Sequence, residues 1–171
     1  MINNLLSNFI KDFIPVILIF IGITATVFFI NWIFSVYKWS LKRIDKLKGD
    51  EFENFIKYVY ELLGYTVEKT KKSGDQGIDL IVKRHFRKIG IQLKRYNGKV
   101  GNSAVQEAVA GKKYYKLDKV CVLTNSSFTR SAKELAKANG VELLNRNDLK
   151  SLIEKARRKE KRQRKPFIKD L

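Results

Sequence analysis

The sequence predicts an α/β sandwich, in which helices cover both sides of a mixed sheet, behind one transmembrane helix. Residues 13–37 carry no charged side chain, whereas the residues after 40 hold most of the charge. From residue 49 onward the apolar residues switch between helical and strand spacing, in the order helix, three strands, helix, strand, helix, strand, helix. Because the later strands are separated by helices, we expect them to pair in parallel.

The first forty residues are predicted to be an N-terminal membrane anchor. A helix from about residue 13 to 37 is long enough to cross the roughly 30 Å hydrocarbon layer of a bilayer. Trp32, Tyr37 and Trp39 lie at its carboxyl end, where aromatic rings settle at the headgroup level. A cleaved signal peptide is disfavoured because no basic leader precedes the apolar segment, and a buried core helix is disfavoured because there is no polar face.

Basic residues flank this segment unequally. Only Lys11, beside Asp12, lies on its amino side, whereas the carboxyl side carries Lys38, Lys42, Arg43, Lys46 and Lys48. The positive-inside rule then predicts a single-pass protein of the cell membrane with residues 41–171 in the cytoplasm. Residues 41–48 form a basic linker in this interpretation.

The net charge points to a polyanionic partner. The chain holds 35 Lys and Arg against 17 Asp and Glu, which gives +18. Such a field attracts nucleic acid or the anionic face of a membrane, and composition does not choose between them. The lone Cys121 cannot form an internal disulfide or a structural zinc site, and its apolar neighbours indicate a buried strand residue rather than a reactive thiol.

The first half of the cytoplasmic region is predicted to be one helix followed by three strands. Apolar residues recur every three or four positions up to Leu63, and Gly64 ends this helix. Strands are expected at residues 65–70, 77–83 and 88–96, with a loop at 71–76 and a turn near His85, which we interpret as a solvated loop residue.

The second half is predicted to alternate helices with strands. Helices are expected at 100–115 and 129–138, strands at 119–124 and 141–144, and a final helix from about residue 147. Residues 49–154 form the predicted domain, and residues 155–171 form a basic tail that is frayed helix or disordered.

Three polar residues stand out in the predicted strands. Gln92 and Lys94 point to one face of their strand, and Asp79 is surrounded by apolar residues on the preceding strand. A hairpin would bring the three together, offering two oxygen donors for a hard cation and an ammonium for an anionic substrate. A buried ion pair between Asp79 and Lys94, with Gln92 half-exposed, explains the same spacing.

A longer series of segments carries a family resemblance. It comprises Phe52-Glu53, Gly64-Tyr65, Ser73 to Leu80, Ile91 to Tyr96, Val100-Gly101, Ala104 to Glu107, Thr124 to Ser126, Phe128-Thr129 and Leu143 to Arg146. In order and spacing these segments resemble the catalytic domain of Mrr-type restriction endonucleases, members of the PD-(D/E)xK nuclease superfamily. The resemblance covers residues 49–149.

The resemblance implies a restriction-endonuclease-like three-layer sandwich and a DNA endonuclease that depends on Mg²⁺, with Mn²⁺ as an alternative. It places the metal-binding aspartate at Asp79 and the catalytic lysine at Lys94. Gln92 replaces the usual acid, as in the QxK variant of the pattern, and Glu53 matches an acidic position that completes the site in this family. Otherwise Glu53 is an exposed acid, which is favourable near a helix amino terminus.

The resemblance also implies double-stranded DNA as the partner, and a homodimer because cutting both strands usually asks for two active sites. The residues expected to contact DNA are Lys72, Ser73, Arg95, Gln106, Asn125 and Ser126. Gln106 is equally explained as a helix-surface residue, the 124–127 segment as a helix cap, and residues 73–76 as a glycine-containing turn.

Three functions are compatible with these observations. The first is a membrane-tethered DNA endonuclease of restriction or defence type. The second is a catalytically silent nucleic-acid-binding module on a membrane, and the third is a membrane-surface protein whose basic tail binds anionic lipid. The presence of Asp79, Gln92 and Lys94 together favours the endonuclease.

The charge asymmetry generates a topology prediction. Protease added to intact cells should leave residues 41–171 uncut, because the positive-inside rule keeps this region in the cytoplasm. Immunoblotting against the carboxyl-terminal region measures the outcome, and permeabilised cells are the control. Digestion of this region in intact cells would reverse the predicted orientation.

Overall fold

The computed structural model of the chain describes residues 2–70 and 76–163 and divides the chain into two compact units, Met1–Ser40 and Leu41–Leu171. The first unit consists of helix α1, Ile2–Lys38. Within α1, Phe13–Ile33 is long and apolar enough to cross a bilayer, with a mean hydropathy of 2.7. The most apolar part of this segment is not buried.

The second unit contains five helices and seven strands in its described part. The helices are α2 (Leu41–Ile44), α3 (Gly49–Leu62), α4 (Asn102–Tyr114), α5 (Arg130–Asn139) and α6 (Arg146–Gln163). The strands are β1 (Thr66–Lys69), β2 (Leu80–Arg84), β3 (Arg87–Lys94), β4 (Lys99–Val100), β5 (Lys119–Thr124), β6 (Ser127–Phe128) and β7 (Glu142–Leu144).

Five strands form one mixed sheet in the order β1-β2-β3-β5-β7. The first three pair antiparallel, with Leu80 opposite Ile91, whereas β5 pairs in parallel with both β3 and β7. The helical connections account for this change in direction, because a parallel neighbour needs a crossover. The predicted mixed α/β architecture is therefore confirmed.

Helices cover both faces of the sheet. On one face α4 and α5 bury a core of small and branched side chains, including Ile78, Ala108 and Val122. On the other face α3 and α6 pack together, and Phe52 and Leu149 are fully buried there. Alternation along β3 sends Ile91 toward this second face and Gln92 toward α4.

The turn before β2 differs from the prediction of a strand beginning at residue 77. Gln76 and Gly77 have φ angles of 49° and 78°, so the chain turns here and β2 begins at Leu80. A Cβ on Gly77 would lie 2.6 Å from the carbonyl carbon and 2.8 Å from the Cα of Glu107. A Cβ on Gly111 would lie 2.7 Å from the Gln76 carbonyl oxygen. The turn thus rests directly on the backbone of α4.

The predicted frayed or disordered start of the tail is wrong, because α6 continues as a helix to Gln163. Leu149, Ile153, Ala156 and Glu160 keep helical spacing and are buried, and the Tyr58 hydroxyl donates to Glu160 at 2.7 Å. Residues 164–171 lie outside the described residues.

Two further elements were not predicted. The expected linker contains the short helix α2, whose Ile44 is fully buried. The start of the expected helix at residue 100 instead pairs with β6 as a two-residue parallel ribbon, so α4 begins at Asn102.

A polar network holds α2 against the carboxyl ends of the parallel strands. The Arg146 guanidinium donates to both carboxylate oxygens of Asp45, at 2.6 and 2.7 Å, and to the Asn125 carbonyl at 2.8 Å. The Asn125 side chain donates to Asp45 and accepts from the backbone N–H of Tyr96. These hydrogen bonds, chiefly from Arg146, hold the pKa of Asp45 below its usual value despite the opposing effect of burial.

The turn against α4 predicts that Gly77→Ala lowers the free energy of unfolding by about 3 kcal/mol, because the methyl group combines backbone strain with overlap. Gly49→Ala is the control, since a Cβ at Gly49 meets nothing within 4 Å. Its effect should stay below about 1 kcal/mol. Urea unfolding of the full chain in detergent measures both, and equal stability of the two variants would contradict the predicted clash.

The network predicts a pH-dependent effect for Asp45→Asn. Because folding lowers the pKa of Asp45, its ionised form stabilises the fold above the unfolded pKa of about 3.9. That stabilisation is lost as the pH falls through the folded pKa. The variant should be less stable by about 1 kcal/mol at pH 7, and this difference should shrink below about pH 4.

Glu134→Gln is the matched control for Asp45→Asn, because it removes the exposed ion pair with Arg130. It should change the free energy of unfolding little at any pH. A difference between Asp45→Asn and the parent that persists undiminished to pH 2 would contradict the assignment of the effect to ionised Asp45.

Candidate active site

Asp79 lies at the entry to β2 and is held against β3. Its backbone N–H donates to the Ile91 carbonyl at 3.0 Å, and its carboxylate Oδ2 accepts the backbone N–H of Leu93 at 2.5 Å. The antiparallel ladder ends at the Leu80–Ile91 pair, and the two hydrogen bonds hold Asp79 against the backbone of β3 on either side of Gln92. The Asp79 carboxylate therefore binds the strand segment that carries Gln92, a second predicted site residue.

Gln92 is buried, with 4% of its surface exposed, rather than half-exposed. Its side-chain oxygen Oε1 has no hydrogen-bond partner in the described structure. A buried carbonyl oxygen without a partner is unfavourable by about 1–3 kcal/mol. Such an oxygen, on the strand segment that binds the Asp79 carboxylate, suits a site completed by a bound cation.

Lys94 ends β3 and points to the same face as Gln92. Its ammonium Nζ lies 2.6 Å from the Glu107 carboxylate on α4, so Lys94 forms an ion pair with Glu107. Its carbonyl accepts the Thr124 hydroxyl at 2.6 Å, which fixes the end of β3 against β5. The two side chains of the pair are about one-third exposed, which leaves the ammonium within reach of solvent.

Glu107 was not among the predicted site residues, although its segment contributed to the family resemblance. Ala104, Ala108 and Gly111 form the buried stripe of α4, and Glu107 lies at the edge of that stripe. Gln106, which was predicted to contact DNA, is exposed one position away. Helical spacing from the small-residue stripe was the feature that distinguished Glu107 from Gln106.

Glu53 lies on α3, and its carboxylate is 2.9 Å from the Lys69 ammonium at the end of β1. The same ammonium donates to Asn54. The structure therefore gives the negative charge of Glu53 a partner other than a metal ion. Within residues 2–70 and 76–163, no three His, Cys, Asp or Glu side chains cluster as a metal site.

The donors that fit a divalent cation are consequently few. Asp79 offers a carboxylate and Gln92 an amide oxygen, and both are ligands that Mg²⁺ accepts. Mg²⁺ usually retains several waters and takes only one or two protein carboxylates, so this donor set is compatible with it. It does not require Glu53.

A polar cleft of about 640 Å³ lies beyond Lys94, at the carboxyl ends of the parallel strands. Its lining includes Tyr96, Lys133 and the predicted DNA contacts Asn125 and Ser126. Both ends of the Asn125 amide are used within the fold, and the Ser126 hydroxyl donates to the Gly98 carbonyl. These two side chains therefore shape the cleft.

The other predicted DNA contacts have different positions. Arg95 is half-buried and donates to the Asn97 side chain at 3.0 Å. The Thr129 hydroxyl accepts the Ala132 N–H at 3.1 Å, so a cap does begin α5 after this segment. Lys72 and Ser73 lie outside the described residues.

Several solved structures are similar to this chain. The DNA modification-dependent restriction endonuclease AspBHI matches with a TM-score of 0.53 and 18% identity, over 74% of this chain and 38% of that chain. AF1548, a protein of unknown function, matches with a TM-score of 0.47 and 18% identity, over 54% of this chain and 55% of that one. The MspJI restriction endonuclease, in complex with a 27-mer oligonucleotide, matches with a TM-score of 0.42 and 19% identity, over 66% of this chain and 30% of that chain.

This chain thus spans 30–55% of the length of those solved chains. The match to AspBHI shows that the fold is restriction-endonuclease-like. Among curated proteins, none matches this chain.

The family relationship rests on the sequence of the folded region. Residues 44–153, more than half of the chain, match the family model Mrr_cat, which describes a restriction endonuclease. This region contains Asp79, Gln92 and Lys94 and the whole sheet. The chain therefore belongs to the Mrr_cat family of restriction endonucleases.

Proposed function

We propose that this protein is a divalent-metal-dependent endonuclease that hydrolyses phosphodiester bonds in double-stranded DNA and serves restriction or defence. The buried, unpartnered oxygen of Gln92, on the same face of β3 as Lys94 and on the segment whose backbone binds the Asp79 carboxylate, carries the proposal. An unsatisfied buried acceptor destabilises the fold, and a bound cation would remove that cost.

Asp79 and Gln92 are the residues proposed to hold Mg²⁺ or Mn²⁺, and Glu53 joins them only if it leaves Lys69. When bound, the ion supplies Lewis-acid polarisation of the scissile phosphate and makes water more acidic. The Leu93 N–H fixes the Asp79 carboxylate before any ligand arrives. Such preorganisation matters because a misplaced ligand group weakens the stabilisation of the transition state.

Lys94 is proposed to neutralise the negative charge that develops on the phosphoryl oxygens. Its ammonium is partly exposed and lies on the Gln92 face, so an incoming phosphate can reach it. An ammonium on the unbranched lysine stem acts as a point charge, which suits contact with an anionic centre. Lys94 therefore contributes to the transition state more than to binding.

DNA binding is proposed to rest on the overall positive charge and on the edge of the sheet that carries the cleft. The net charge of +18 supplies a sequence-independent attraction to phosphates. Arg95, Gln106, Lys72 and Ser73 remain proposed phosphate contacts, while Asn125 and Ser126 contribute through the shape of the cleft. A homodimer is proposed because cleavage of both strands needs two such sites.

Membrane attachment is a separate proposal. The candidate span Phe13–Ile33 carries no charged side chain and is not buried, unlike the core helix of a soluble domain. With the positive-inside asymmetry, this supports the proposal of a single-pass protein of the cell membrane with the nuclease region in the cytoplasm, where DNA is present.

Asp79→Asn and Lys94→Ala should each reduce magnesium-dependent cleavage of plasmid DNA by about a hundredfold or more, because each removes one electrostatic stabiliser of the transition state. DNA affinity should change only a few-fold, because each variant alters one charge among many and so affects about one phosphate contact. Cleavage and binding are measured with the full chain in detergent, with Mg²⁺, with Mn²⁺ and with EDTA, on modified and unmodified DNA.

Two variants match these changes in charge. Asp118→Asn removes a carboxylate that also accepts one backbone N–H, from Lys88. Lys83→Ala removes a lysine with the same 32% exposure as Lys94, paired with Glu68. Both should cut at the parental rate. A parent that binds DNA but never cuts it would favour the silent binding module, and active Asp79 and Lys94 variants would mean that the site is misplaced.

A further inference from the structure

The pairing of Lys94 with Glu107 joins two layers of the fold. Lys94 closes the central strand, whereas Glu107 is the one acidic residue of α4, whose other charged residues are Lys112 and Lys113. Their charged atoms are 2.6 Å apart. The pair therefore ties the proposed catalytic ammonium to the helix that covers the metal-ligand face of the sheet.

The backbone at Glu107 also positions Asp79. The turn that leads into Asp79 approaches the Glu107 backbone so closely that only a glycine fits at position 77. Glu107 thus contacts both halves of the candidate site. Its backbone packs against the turn that leads into Asp79, and its carboxylate pairs with Lys94. A shift of α4 would move both halves together.

A carboxylate at this place has an electrostatic disadvantage. In a chain with twice as many basic as acidic residues, it lies beside the ammonium that must meet a phosphate, where it repels DNA. A partly exposed ion pair also contributes little to stability. Neither binding nor stability explains the acid, whereas the orientation of Lys94 does, because a lysine stem without a partner samples many rotamers.

We propose that Glu107 is a positioning residue for catalysis: its carboxylate holds the Lys94 ammonium in the orientation that the transition state requires. The proposal rests on the nuclease function proposed above and deepens it. Lys94 is the group that meets the reacting phosphate. Glu107 acts through Lys94 and needs no contact with DNA or with the metal ion.

Glu107→Gln separates this role from a purely electrostatic one, because the two roles predict different changes in kcat. Loss of positioning should lower kcat for plasmid cleavage by about tenfold or more, with KM unchanged or lower. Loss of a repulsive charge alone should lower KM while kcat stays the same or rises. Glu107→Asp keeps the charge on a shorter stem and should recover part of the lost kcat.

Glu68→Gln is the matched control, since it breaks the Lys83 pair on the same sheet with the same change in net charge. Its kcat should equal that of the parent. Thermal unfolding shows whether the Glu107→Gln protein is folded. A folded Glu107→Gln protein that cuts DNA as fast as the parent, or faster, would overturn the proposal. The faster result would mean that the pair restrains Lys94 before DNA arrives.

A second measurement does not depend on cleavage. NMR of the full chain with ¹³C-methylated lysines should show a Lys94 signal, identified by its loss in Lys94→Arg, that is broader or shifted relative to free surface lysines. In Glu107→Gln this signal should move to the position of mobile lysines, and an unchanged signal would overturn the proposal. If the parent cuts no DNA, the nuclease proposal fails, and the NMR result alone decides whether Glu107 fixes the ammonium.

Discussion

The close approach of the Gln76–Ile78 turn to helix α4 is the contact on which the site depends. Two glycines, Gly77 on the turn and Gly111 on the helix, remove the side-chain atoms that would separate the two backbones. Ile78 then fills the space between α4 and the sheet, where it is fully buried. Asp79, the next residue, consequently binds the backbone of β3 at Ile91 and Leu93, and Glu107 on α4 pairs with Lys94.

Local pattern was sufficient to predict the architecture and to single out three candidate site residues. Strand alternation identified Gln92 and Lys94 on one face, and the apolar neighbours of Asp79 made its carboxylate conspicuous in the sequence itself. The turn at Gln76 and Gly77 could not be predicted in the same way. Its positive φ angles depend on how near α4 comes, which is a property of packing between residues that are far apart in sequence.

Long-range polar contacts were also beyond the reach of sequence periodicity. Asp45 and Arg146 are 101 residues apart, and nothing in their immediate neighbours indicates that they bind each other. The end of α6 was misjudged because its many cations suggested a solvated tail, although Ile153, Ala156 and Glu160 continue the spacing of a packed helix. The helical spacing of these three residues was present in the sequence, but the many basic residues around them led to the prediction of a solvated tail.

The separation of Asp45 from Arg146 has a consequence for the order in which the protein is made. Asp45 leaves the ribosome about a hundred residues before the arginine that must pair with it, and Asn125 is synthesised between them. The edge of the sheet that forms the cleft therefore closes only after nearly the whole folded region has been translated. A truncated nascent chain lacks the arginine that joins α2 to the loops after β3 and β5, so this edge cannot assemble on an unfinished protein.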